Sequence, residues 1–182
     1  MWRAVVLIPV WLMLNGAAPP PGKSAAPRIA TLESLLAFAN PRLCEPTKGF
    51  DDLLGRLMRV SGNPDNPTVV AVDPVVPAAL QRQFGKRRLS QDGNYYAVTV
   101  PVTGTWHGLK LRAIEAQQIM ESEGGFAMHF EATPQQVRAV LNRLGFGLGN
   151  AMSVYRDPDD IMGVSIEIGR VGNRAVLTCF AG

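Results

Sequence analysis

The chain has 182 residues, of which 47% are hydrophobic and 18% are charged, and its formal net charge is +3. This composition excludes a disordered chain, and the length is sufficient for one domain with a real core. A charge excess of this size does not argue for a nucleic-acid partner, so none is predicted.

The N-terminus has the order of a secretory signal peptide, which we predict over residues 1–18. Arg3 supplies the positive end, an apolar run follows over 4–14, and small residues at 15–18 suit a signal peptidase. An uncleaved membrane anchor is the alternative. The run is shorter than the about 20 residues that span a bilayer, and Pro9 interrupts it. We therefore expect a periplasmic or secreted protein without a stable transmembrane segment after cleavage.

Two further segments and two cysteines complete the organisation. Residues 19–30 have the composition of a flexible linker, and residues 31–182 are predicted to form a single α+β domain. In an oxidising compartment a lone pair of cysteines normally forms a disulfide, so Cys44 and Cys179 are predicted to close a loop of 135 residues (179 − 44). Two free thiols or a redox pair are the alternatives, although a redox pair is typically Cys-x-x-Cys.

The first half of the domain contains short elements separated by turn residues. The patterns predict, in chain order, a helix after Thr31, a helix over 49–60, a turn over 61–67, a strand over 68–73, one or two helical turns within 77–85 and a polar loop over 86–94.

The second half alternates more regularly and predicts most of the sheet. Strands are predicted over 95–102, 109–120 and 126–132, then a loop over 146–162 and a hairpin of 163–171 and 174–180 around Gly172-Asn173. A helix over 112–122 competes with the second strand, because Ala, Glu, Gln and Met are good helix formers.

One helix, over residues 133–145, has complete start and stop signals. Thr133 and Gln136 form a capping box, an apolar stripe follows, and Gly145 ends it. The predicted fold is therefore α+β: an antiparallel sheet of about five or six strands, with this amphipathic helix (133–145) on one face and short N-terminal helices.

His129 is the principal candidate for chemistry. It lies on the strand face opposite Phe126, with Glu131 on the same face, and Glu167 also occupies a polar strand face. A histidine with carboxylates suits a general base or a metal-dependent enzyme. The alternative is a histidine on a solvated sheet face, and the chain has no nucleophile motif. We predict no metal site and no cofactor.

Aromatic side chains in turns and loops are candidates for a recognition surface. Trp106, Phe146 and Tyr155 are the predicted binding residues, because aromatics on loops are common at interfaces. The alternative is that they complete the core.

Three functions follow from these patterns. The first is a small exported, non-enzymatic domain that binds a secreted protein or an envelope component. The second is a small periplasmic hydrolase or metal-dependent enzyme that uses His129 with Glu131 or Glu167. The third is a carrier whose helix and sheet enclose an apolar pocket for a small ligand.

Overall fold

The computed structural model describes residues 30–63, 66–119, 124–157 and 163–181. The predicted signal peptide lies outside the described residues, and so does the predicted linker apart from Ala30.

Residues 31–71 form a layer of short elements that we call the N-terminal layer. It consists of α1 (Leu32–Leu35), β1 (Phe38–Asn40), a 3-10 helix (Pro41–Leu43), β2 (Glu45–Pro46), α2 (Lys48–Leu57), β3 (Met58–Asn63) and β4 (Asn66–Ala71). Strands β1 and β2 pair antiparallel, as do β3 and β4. The apolar residues of α2 recur at helical spacing and are buried together: Phe50, Leu53, Leu54 and Leu57.

Two predictions in this layer need adjustment. The helix predicted over 49–60 ends at Leu57, because the next residues pair with β4, as in the register of Val60 with Val69. The strand predicted over 68–73 is present as β4, Asn66–Ala71, and it pairs with β3 in a two-stranded hairpin. Beyond this layer, the helical turns predicted within 77–85 are a 3-10 helix, Ala78–Gln83.

Seven strands form one antiparallel sheet within the described ranges, and we call it the main sheet. Its members are β5 (Arg88–Asp92), β6 (Tyr95–Trp106), β7 (Leu109–Ile119), β8 (Gly124–Phe130), β9 (Ser153–Arg156), β10 (Val164–Val171) and β11 (Arg174–Ala181). Their spatial order is β5-β6-β7-β8-β11-β10-β9.

The sheet exceeds the predicted five or six strands because both of its edges were predicted as loops. Strand β5 falls in the predicted polar loop over 86–94, and β9 falls in the predicted loop over 146–162. An edge strand pairs on one side only, and all five side chains of β5 are exposed. Such a segment lacks the apolar alternation by which a strand is recognised.

The segment for which strand and helix competed is strand β7. It pairs with β6 on one side and β8 on the other. Its register with β8 shifts between Leu111 and Ala113, and the register of β6 with β7 shifts between Pro101 and Gly104. These shifts are bulges. A proline within a strand and a slip in its apolar alternation are the sequence signals that indicate a bulge.

The helix predicted over 133–145 is present as α3 (Pro134–Arg143). Thr133 is the N-cap, and its hydroxyl accepts from the backbone of Gln136 while the Gln136 side chain accepts from Thr133 N. Helix α3 buries Val137, Val140 and Leu141, and it contacts β10 and β11. None of the helices among the described residues is both long and apolar enough to cross a membrane.

The core lies on one face of the main sheet. Register aligns a row of buried side chains across five strands: Val100, Ile114, Met128, Leu177 and Ile168. The buried side chains of α1, α2 and α3 belong to the same cluster as this row. The opposite face, which we call the polar face, carries small and polar residues such as Thr99, Glu115 and Thr178 in the adjacent row.

The structure brings the two cysteines to disulfide distance, as predicted. Cys44 follows the 3-10 helix of the N-terminal layer, Cys179 lies in β11, and their Cα atoms are 6.1 Å apart. Both side chains are buried. The bridge therefore attaches the N-terminal layer to β11 of the main sheet.

Removing the bridge is expected to lower the free energy of unfolding, because a crosslink over 135 residues restricts the unfolded chain. For the Cys44→Ser/Cys179→Ser variant we expect a loss of up to about 5 kcal/mol at 25 °C. Urea denaturation of the variant and of the oxidised parent measures the difference. Equal unfolding midpoints would contradict a stabilising bridge.

Candidate functional site

A groove beside the disulfide is the main candidate site. It has a volume of about 620 Å³ and lies between the N-terminal layer and the strand ends of the main sheet where β7, β8, β10 and β11 meet. Apolar side chains from both parts and the two cysteines form most of its lining: Leu43, Cys44, Leu54, Met58, Val60, Ala116, Phe126, Val164, Cys179 and Phe180.

Local sequence explains why this space is left open. Gly55 lies in the groove lining on α2, and a Cβ added there would meet no atom within 4 Å. Gly125 begins the opposite wall, where a Cβ would come within 2.4 Å of the carbonyl oxygen of Cys179. Only glycine allows β8 and β11 to approach so closely there. Val60 extends the wall from β3 and is 47% exposed.

A polar cluster on the polar face surrounds Glu115. Thr99 lies directly opposite Glu115 in the register of β6 and β7, and its Oγ1 donates to Glu115 Oε2 at 2.6 Å. Gln117 Nε2 donates to Glu115 Oε1 at 2.6 Å. His129 Nε2 lies 3.7 Å from Glu115 Oε2, a distance beyond a normal hydrogen bond. Gln117 also lines the groove, so the cluster and the groove adjoin.

These neighbours decide the charge of Glu115. Burial alone would raise the pKa of this carboxyl, but His129, Thr99 and Gln117 favour its ionised form and lower the pKa to about 2. Burial, and then the negative charge of Glu115, raises the pKa of Tyr95 to about 12. At neutral pH the cluster therefore contains an ionised carboxylate and a protonated phenol.

The carboxylates predicted to assist His129 lie elsewhere. Glu131 forms ion pairs with Lys110, at 3.2 Å, and with Arg112. Glu167 lies on β10, and β11 separates it from the strand of His129. Two strand spacings place these backbones about 10 Å apart. The structure instead brings Glu115 to His129, a pairing that the sequence analysis missed because it depends on the register of β7 with β8.

The predicted aromatic binding residues divide into two groups. Trp106 and Phe146 are fully buried, so their prediction as a recognition surface is wrong. Trp106 Nε1 donates to the Leu36 carbonyl at 3.1 Å, and Phe146 meets Phe38 edge-on with ring centroids 4.9 Å apart. Both residues thus pack against the N-terminal layer. Tyr155 is 67% exposed on the edge strand β9.

The described residues contain no group of three or more His, Cys, Asp or Glu that could hold a metal ion. The groove and the Glu115 cluster offer two chemistries: burial of an apolar group in the groove, and proton transfer by an imidazole beside a carboxylate.

No protein-family model, curated protein or solved structure matches this chain.

Replacing Glu115 by glutamine is expected to remove a pH-dependent stabilisation. The pKa of Glu115 in the folded chain is about 2, below its ordinary value of 4.5, so the stabilisation is present above about pH 4.5 and is lost as the pH falls through 2. At pH 7 we expect Glu115→Gln to lose at most about 3 kcal/mol, and near pH 2 to equal the parent. Urea unfolding as a function of pH measures this.

The matched control is Glu167→Gln, which removes an exposed carboxylate from the same sheet face. It should leave the pH dependence of unfolding unchanged. A stability loss in Glu115→Gln that is the same at pH 7 and near pH 2 would contradict the charged cluster.

Proposed function

We propose that this chain is an exported, non-enzymatic binding domain, and that its groove holds the apolar part of a small amphiphilic ligand. The observation that carries the proposal is the apolar groove of about 620 Å³ beside the disulfide. Pockets for small ligands typically measure about 300–1,000 Å³ and are lined mainly by apolar side chains. The ligand is then a component of the cell envelope or of the surrounding medium.

The way in which the walls are held supports binding. The Cys44–Cys179 bridge lies in the lining and joins the two walls covalently. The hydrogen bond from Trp106 to Leu36 and the packing of Phe50 on Phe126 hold the N-terminal layer on the sheet. A preformed site loses less conformational entropy on binding than one that must be assembled.

A substitution that fills the groove should abolish binding and leave the domain folded. In Gly55→Leu the new side chain occupies open space in the groove lining. Leucine favours a helix more than glycine does, so α2 should be retained. We expect the affinity for the uncharged apolar dye N-phenyl-1-naphthylamine to fall at least about tenfold. Fluorescence titration measures the affinity, and urea unfolding checks the fold.

Gly49→Leu is the control, because Gly49 lies in the same helix, its Cβ would also meet nothing within 4 Å, and it does not line the groove. It should bind the dye like the parent. Equal binding by the Gly55 variant, or no saturable binding by the parent, would overturn the proposal. Retention of a secreted protein by the groove would instead favour a macromolecular partner.

A small hydrolase is a second candidate, and the contact of His129 with Glu115 favours it. An imidazole beside an ionised carboxylate is the pair that general-base catalysis uses. The nearby Thr99 hydroxyl donates its hydrogen bond to the Glu115 carboxylate. In this arrangement the hydroxyl therefore serves to hold Glu115. For this reason we place catalysis second to binding.

Catalysis by this pair requires that His129→Ala abolish hydrolysis of an ester or amide substrate that the parent cleaves. Because His129 is partly exposed, the variant should retain the far-UV circular dichroism of the parent. A panel of chromogenic esters and amides tests this, with Glu167→Gln as the control. A parent without activity on the panel, or a fully active His129 variant, removes the hydrolase from consideration.

A further inference from the structure

The ionisable side chains of the groove are all acidic within the described lining. Glu45 and Asp51 are the two ionisable groups there, and Gln117 and Gln118 are the other polar residues with side-chain amides. The chain as a whole contains 18 Lys and Arg against 15 Asp and Glu, yet none of the described lining residues is basic. The groove is therefore locally negative on a protein with a positive net charge.

The two carboxylates are also available to a ligand. Both residues are exposed, and neither forms an ion pair among the described residues. The adjacent Asp52, unlike Asp51, forms an ion pair: Lys48 Nζ lies 2.8 Å from its carboxylate, and neither residue lines the groove. The basic residue at the start of α2 is thus already paired outside the groove.

We infer that the groove selects amphiphiles whose polar end is cationic, such as an amine or a quaternary ammonium, with the apolar chain against Leu54, Met58 and Phe126. This inference rests on the proposed function and specifies the ligand class of the same site. Glu45 and Asp51 attract a positive head group near the apolar lining. An anionic head group, such as a fatty acid carboxylate, meets two like charges there and finds no basic partner in the described lining.

The size of the preference follows from the exposure of the two carboxylates. Exposed ion pairs contribute little individually, so two of them should change affinity by roughly fivefold to tenfold between ligands of opposite charge. Salt should reduce the preference, because the screening length falls from about 30 Å at 0.01 M ionic strength to about 3 Å at 1 M. Apolar burial is insensitive to this screening and sets the affinity of an uncharged ligand.

The test compares three probes that share a dodecyl chain: dodecyltrimethylammonium, dodecyl maltoside and laurate. Each displaces N-phenyl-1-naphthylamine from the oxidised parent at about pH 8, where the laurate carboxylate is ionised. We expect the ammonium probe to bind roughly fivefold to tenfold more tightly than laurate at low salt, with the maltoside between them. The Glu45→Gln/Asp51→Asn variant should lose this order and retain the affinity for the maltoside.

Glu167→Gln is the control for the removal of a carboxylate outside the groove, and it should preserve the order of the three probes. Equal affinities of the three probes, or tightest binding of laurate, would overturn the charge preference while the apolar binding site stands. Failure of all three probes to displace the dye would overturn both proposals. If the double variant keeps the charge preference, then groups other than these two carboxylates cause it, and the inference is overturned.

Discussion

The apolar face of the main sheet is the feature on which the rest of the structure depends. Helix α3 contacts β10 and β11, so the other strands of this face need a different cover. The N-terminal layer supplies it: Leu36, Phe50 and Leu57 are fully buried in the same cluster as the sheet residues. Side chains attach this layer to the sheet. Trp106 and the disulfide provide two such attachments at separate places.

The groove follows from the same arrangement. A cover built from a ten-residue helix and a two-stranded hairpin does not reach every strand end, and the uncovered space lies where the hairpin leaves α2. Gly55 keeps a side chain out of this space, Gly125 allows β8 and β11 to approach closely in its wall, and Val60 keeps the wall apolar. Exposed apolar surface costs free energy in water, so an apolar groove beside a well-packed core is a typical feature of a binding site.

The sequence could predict those elements whose signals are local. The capping box of Thr133 and Gln136 and the Gly172-Asn173 turn each specify a feature without reference to distant residues, and the cysteine pairing follows from there being only two cysteines. Strand β5 was missed because an exposed edge strand has no apolar alternation, and β9 was missed because four residues are too few to show one. Trp106 and Phe146 were placed on the surface because the residues that bury them come from the N-terminal layer, and sequence separation hides that contact. Glu115 was missed for a related reason: the bulge in β7 decides which carboxylate meets His129.

The position of β11 has a consequence for how the domain is made. It is the last of the described strands in chain order, yet in space it lies between β8 and β10 and carries Cys179. Until residues 174–181 leave the ribosome, the strands β5–β8 and the pair β9–β10 cannot join, and Cys44 has no partner. The N-terminal layer is synthesised first, but the apolar face of the sheet that it covers is incomplete until then. In the main sheet one pairing, β8 with β11, joins strands that are not consecutive in the chain, so the sheet stays in two parts until β11 is available.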